Sequence, residues 1–205
     1  MIVHGANGSP FVRKVRVSLE EKGIGYEHKN LIPFPKTDEL LAMHPMGKIP
    51  ILEHQGRFIP DSSVICAYLE KLQPEARLYP EQPAEFARAL FLEEYADTRA
   101  VDAVGPIVFE TIVKPNVYQQ ETDHERVEKV LREDVPPVLD YFQSQLEYGA
   151  ATLLSRFSIA DVSVASHLAG LYITQHPVDD QRWPVLAAYM ERMLNRPSFK
   201  AAMDG

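Results

Sequence analysis

The sequence has a single cysteine, Cys66. One thiol excludes an intrachain disulfide, a two-cysteine redox motif and an all-cysteine metal site. Basic residues are in the minority, with 21 Lys and Arg against 29 Asp and Glu and a net charge of −8. Phosphate contacts need clustered cations, so this balance predicts no nucleic-acid partner. No apolar run approaches the roughly 18–20 residues that cross a bilayer, which predicts no membrane span. The first ten residues contain no basic stretch followed by an apolar one, so no signal peptide is expected. Seven scattered histidines show no ligand spacing on a shared helix, and no metal is expected. The expectation is a soluble, reduced, cytoplasmic protein. What is present is an ordinary globular composition, 45% hydrophobic and 24% charged over 205 residues. That is enough apolar matter to bury a core in one large domain or two small ones, and it argues against disorder.

The pattern changes character near residue 74. Before it, short β-like runs alternate with helical ones. Residues 1–4 are a short apolar start, broken by Gly5, Asn7 and Gly8. Pro10 suits the first turn of a helix, and Val12, Val15 and Leu19 recur at helical spacing before Gly23. Residues 26–32 read as a second strand, and Leu40 and Leu41 as part of a short helical turn. Residues 49–53 and 57–59 flank His54-Gln55-Gly56, a hairpin signal. Asp61, Ser62 and Ser63 open an apolar helix. The order β-α-β-α-β-β-α predicts a mixed four-stranded sheet with helices on both faces, its first strand pair parallel and its last a hairpin. Pro74, Pro80 and Pro83 mark a linker. Helix follows over 84–113, kinked at Pro106, then over 123–146, interrupted by Pro136-Pro137, then over 158–172 and 183–194. The predicted division is an α/β domain over 1–76, a linker over 77–83 and an all-α domain over 84–205.

Four places in this frame carry chemical potential. Ser9-Pro10-Phe11 puts a hydroxyl at a strand-to-helix junction, beside free backbone N–H groups and the positive end of the helix dipole. Such a position stabilises an anion, a thiolate included; serine is equally a favoured N-cap. Lys48-Ile49-Pro50 places an X-Pro bond just before a strand, and a cis bond there leaves the Ile49 backbone to pair with a peptide-like ligand. Asp61-Ser62 at a helix start offers N–H groups to a carboxylate and an acid to an ammonium group, besides its capping role. Ser158 and Asp161 have capping-box spacing, a folding signal with no catalytic meaning.

Taken together and in this order, the four motifs resemble the cytosolic glutathione transferase superfamily, of serine type and akin to bacterial theta, zeta and tau relatives. The resemblance covers essentially the whole chain. It implies a thioredoxin-like N-terminal domain and an all-α helical-bundle C-terminal domain. It implies that Ser9 donates a hydrogen bond to the sulfur of glutathione, the co-substrate. It implies glutathione contacts from Phe11, Lys36, Lys48, Ile49, Pro50, Asp61 and Ser62. Tyr95 and Arg99 are candidates to meet a small hydrophobic electrophile, and Asp97 to reach towards the glutathione amino group of a neighbouring subunit in a homodimer. No cysteine lies near Ser9, which sets the chain apart from the cysteine-type classes. The same resemblance leaves two alternatives open: a non-catalytic binding or regulatory protein of this fold, and a glutathione-dependent isomerase, dehalogenase, ether-cleaving enzyme or peroxidase.

Overall fold

The computed structural model describes residues 1–147 and 149–204. They form two compact units, Met1–Tyr79 joined by the residues from Arg196 onward, and Pro80–Asn195.

The first unit is built on a four-stranded sheet. Strand β1 is Ile2–His4, helix α1 Pro10–Glu21, β2 Glu27–Lys29, α2 Asp38–Met43, β3 Ile51–His54, β4 Arg57–Pro60 and α3 Ser62–Leu72. The strand order is β2-β1-β3-β4, with β1 parallel to β2, antiparallel to β3, and β3 antiparallel to β4. This is the mixed sheet expected. The hairpin turns on Gln55 and Gly56, both at positive φ (51° and 73°), the conformation a two-residue β-turn demands. Strand β2 is shorter than the run 26–32 predicted. The chain after Lys29 leaves the sheet, and Pro33 and Pro35, which have no N–H to donate, follow after Asn30, Leu31 and Ile32.

Helix α1 begins as Ser9 and Pro10 require, and every residue from Val12 to Leu19 is buried. Those buried residues include Arg13, Lys14 and Arg16, so α1 is enclosed on all sides rather than amphipathic. One further helix completes the unit: α11, Pro197–Met203, which packs on α1. Its tie is Glu21, whose carboxylate accepts from Arg196 (2.9 and 3.1 Å) and from the Ser198 hydroxyl.

The second unit is helical: α4 Pro83–Tyr95, α5 Val101–Val108, α6 Lys114–Val117, α7 His124–Glu133, α8 Val135–Ser144, α9 Ile159–Ile173 and α10 Pro184–Leu194. From α4 to α6 the chain stays helical through two π-helical turns, Ala96–Ala100 and Phe109–Val113. The helix expected over 84–113 is therefore longer and is widened at two places, while Pro106 sits inside α5. The break between α7 and α8 falls at Asp134, before Pro136-Pro137.

Helix α9 is the centre of this unit, with Ile159 through Leu171 all buried. Asp161 starts it by accepting four hydrogen bonds. They come from the Ser158 N–H (2.9 Å) and hydroxyl (3.2 Å), the Leu153 N–H (2.8 Å) and the Tyr189 hydroxyl (3.1 Å). Burial pushes its carboxyl up to about 6 against the pull of those donors. At Gly170 the helix meets α5 so closely that a Cβ would lie 2.7 Å from a Val104 methyl. Among the described residues no helix is long and apolar enough to cross a membrane, and no group of three or more His, Cys, Asp or Glu is placed to hold a metal ion.

Candidate functional site

The register of the sheet brings the candidate motifs to one edge. Lys29 pairs with His4, His4 with Ile51, and Ile51 with Pro60. These four residues form one row across the sheet. The loop to Ser9 leaves from His4, Ile49-Pro50 enters at Ile51, and Asp61 follows Pro60. Two strand spacings separate β1 from β4, about 10 Å, which is the length of about three extended residues.

Ser9 caps α1 with extended backbone (φ −74°, ψ 125°). Its Oγ accepts from the Val12 N–H at 3.4 Å, a long bond, and among the described residues its hydroxyl proton is donated to none. The hydroxyl is half-buried beside the N-terminus of a three-turn helix, so a developing anion there meets a donor and the dipole together. Phe11 stands half-buried in the same first turn.

The Ile49–Pro50 peptide bond is cis. Neither the N–H nor the C=O of Ile49 bonds to another described residue, so both are available to an extended ligand.

Asp61 has φ 74° and is exposed. One of its oxygens accepts from the N–H groups of Ser63 (3.0 Å) and Val64 (3.1 Å), which makes it the N-cap of α3. The other bonds to no described residue. Ser62 beside it is buried. Sequence reasoning missed the support beneath this pair: Lys14, fully buried on α1, donates to the Ser63 hydroxyl at 2.9 Å and so ties α1 to the start of α3. The sequence carries no clear signal for this: Lys14 stands between Arg13 and Arg16 in a stretch whose enclosure only the fold reveals.

Two of the expected cations sit together. The Lys36 ammonium donates to the Met46 carbonyl at 2.9 Å, and its stem covers Gly47, where a Cβ would lie 2.8 Å from the Lys36 Cδ. Lys48 is exposed. His44, buried at the end of α2, feels Asp61, Lys48 and Lys36; desolvation is the larger influence and holds its pKa below the ordinary value of 6.5. Neutral at pH 7, it accepts from the Met46 N–H at 3.2 Å.

The remaining candidates belong to the helical unit. Tyr95 closes α4 and stacks on Tyr141 with ring centroids 4.2 Å apart, edge-on to Phe142 at 5.4 Å. Arg99 is exposed on the first π-helical turn. Asp97 on the same turn accepts from the buried His167 of α9 at 2.8 Å. The structure therefore gives Asp97 a partner inside its own unit, which sequence reasoning did not foresee.

Family models place this architecture among known proteins. Residues 3–77 match the glutathione S-transferase N-terminal domain, and residues 108–204 match the glutathione S-transferase C-terminal domain. Among curated relatives, glutathione S-transferase A of Pleuronectes platessa is 27% identical over 96% of this chain and 88% of its own. A probable glutathione S-transferase of Glycine max is 26% identical over 94% of this chain and 83% of its own. Among solved structures, a glutathione S-transferase from Rhodospirillum rubrum F11 superposes with a TM-score of 0.90 at 28% identity. It covers 100% of this chain and 92% of its own.

Proposed function

The chain belongs to the glutathione S-transferase family, and from that premise we propose that it stabilises the thiolate of glutathione and adds it to a small hydrophobic electrophile. The observation that supports this reading is the row of His4, Ile51 and Pro60 across the sheet, about as wide as an extended tripeptide is long, beside which the segments carrying Ser9, Ile49-Pro50 and Asp61-Ser62 meet the strands. In this reading Ser9 donates to the sulfur. The Ile49 N–H and C=O, with Phe11 and Pro50 alongside, hold the middle of the tripeptide. The open Asp61 oxygen takes the ammonium group, and Ser62 with the N–H groups that start α3 takes the adjacent carboxylate. Lys48 and Lys36 face the far carboxylate. Tyr95 and Arg99 carry the second-substrate assignment on the helical unit. The active form is a homodimer in the cytoplasm.

A free thiol has a pKa of about 8.5, so only a few per cent is ionised at pH 7. Lowering it by one to two units takes about 1.4–3 kcal/mol. One hydrogen bond to an anion plus the helix dipole supplies that amount. Serine then needs no base of its own: glutathione is the nucleophile, and its proton leaves to solvent before attack.

The test is a calorimetric titration of glutathione into wild type and Ser9→Ala, with thiolate absorbance followed near 240 nm. Both proteins bind with affinities within a few-fold. The thiol pKa rises by about one to two units in Ser9→Ala, and turnover at pH 7 falls about 10- to 100-fold. Absence of glutathione binding to wild type refutes the function; an equal thiolate signal in both proteins removes Ser9 from it.

A further inference from the structure

Behind the strand-to-helix loop, the first unit carries a groove of about 510 Å³, lined by Arg16, Glu20, Tyr26, His28 and Ala201 among others. None of the candidate glutathione contacts lines it. Among its lining side chains, Arg16 is only 5% exposed. The Arg16 guanidinium donates in three directions. Nε reaches the Tyr26 hydroxyl (3.2 Å), Nη1 the Asn7 side-chain oxygen (3.0 Å), and Nη2 the carbonyls of Ala201 (2.9 Å) and Asp204 (3.3 Å). One side chain thus joins the loop before Ser9, the approach to β2 and the end of α11. A lysine has a single ammonium on a flexible stem and cannot reproduce this fork.

The groove holds the same loop a second time. The His28 Nε2 donates to the Gly5 carbonyl at 2.8 Å, and the Gly5 N–H donates to the Lys29 carbonyl at 3.0 Å. Gly5 in turn lies against Val12, where a Cβ would come within 2.3 Å of a methyl. Residues 5–9 are therefore pinned at Gly5 and at Asn7, and the Ser9 backbone is held by its N–H on the Ala6 carbonyl and its C=O on the Arg13 N–H, both 3.0 Å, while the bond its hydroxyl accepts, from Val12 N–H, is the long one at 3.4 Å. The side-chain half of the cap is weak, so the Ser9 hydroxyl takes its placement from the backbone of the loop and of the first helical turn.

We infer that Asn7 and Arg16 are positioning residues for Ser9: anchored on residues 201–204, they fix the loop that presents the Ser9 hydroxyl to the thiol. The inference rests on the reading of Ser9 as the thiol's hydrogen-bond donor. Neither residue is among the candidate glutathione contacts, so in this inference their effect passes through Ser9 and is absent when Ser9 is absent.

That dependence is the test. Glutathione affinity by calorimetry and the pH midpoint of the 240 nm thiolate signal are measured for wild type, Asn7→Ala, Arg16→Lys, Ser9→Ala and the Asn7→Ala/Ser9→Ala double variant, with thermal melts as a fold control. Asn7→Ala keeps glutathione affinity within about threefold and raises the thiol midpoint by about 0.5–1 pH unit; in the Ser9→Ala background it adds no shift. Arg16→Lys does the same or more, and if it fails to fold, Asn7→Ala decides alone. A folded Asn7→Ala with the wild-type midpoint overturns the inference, as does an equal shift with and without Ser9. A wild-type thiolate signal lost in Ser9→Ala and kept in Asn7→Ala sinks this inference only. No thiolate signal in wild type sinks the function, and this inference with it.

Discussion

Asp61 has two carboxylate oxygens, and among the described residues only one is engaged, on the first N–H groups of α3. Cap and headgroup contact are therefore separable by substitution. Asp61→Asn retains a good N-cap, so stability stays near wild type while the charge that meets an ammonium group is gone. Glutathione affinity then falls about 10- to 100-fold, the worth of a charge-assisted hydrogen bond. Asp61→Ala loses the cap too and costs a further ~0.5–2 kcal/mol of stability. Calorimetry with a thermal melt on each variant checks the pair; equal affinity for Asp61→Asn and wild type removes Asp61 from the headgroup. Lys14 makes the complementary case beneath: its bond to Ser63 is wholly internal, so Lys14→Met acts through the seating of α3.

At the scale of the element, α9 depends on its first turn and on its closest approach. Asp161→Ala leaves the Ser158 and Leu153 N–H groups and the Tyr189 hydroxyl without their acceptor in a buried setting. We expect a loss of about 2–4 kcal/mol in denaturant melts. Gly170→Ala forces a methyl into the Val104 and Val108 side chains and costs about 1–3 kcal/mol by the same measurement. A loss below about 0.5 kcal/mol in either contradicts the packing described.

Much of this framework could be read locally. Pro10 after Ser9, the spacing of Val12, Val15 and Leu19, the Gln55-Gly56 turn and the Ser158-Asp161 box are short-range signals, and each leads to the element observed. Other features are set at long range. Helix α11 is only seven residues long; its Phe199 is fully buried, and the Glu21 carboxylate that ties it down lies 175 positions from Arg196 and 177 from Ser198, beyond any local pattern. The π-helical turns insert a residue into an otherwise regular period, which packing decides and periodicity hides. The Ser9 and Asp61 motifs were legible, but the clamp that holds the Ser9 loop was not. Asn7 and Arg16 are nine positions apart and look like a loop residue and a surface cation until the loop folds back on α1 and brings them together.

For the molecule as a whole, titration of buried and half-buried groups sets opposing slopes of stability against pH. Desolvation pulls the pKa of both His28 and His44 below 6.5. As pH falls through 6.5 the unfolded chain binds protons before the folded one, so these two contribute full stability above about 6.5 and lose it below. Asp161 acts in the other direction. Its folded carboxyl titrates at about 6 against 3.8, so its contribution is complete below about 3.8 and is lost as pH rises through about 6. His28→Gln keeps a donor for the Gly5 carbonyl and removes one of the histidine terms. Between pH 7.5 and pH 5 it therefore loses less stability than wild type in urea melts, and an identical loss refutes the assignment.

The tie between α11 and α1 has a consequence for how the protein is made. The first unit is not contiguous: the whole of Pro80–Asn195 is synthesised between its two parts. A ribosome has released the sheet, α1 and α3 long before it delivers Arg196, Ser198 and the carbonyls that Arg16 and Glu21 bind. Until then the outer face of α1 has no cover, and the strand-to-helix loop lacks its rear anchor. A nascent chain stalled before residue 196 therefore holds a sheet and a Ser9, but not a finished site: the first unit is complete only once the residues from Arg196 onward have been made.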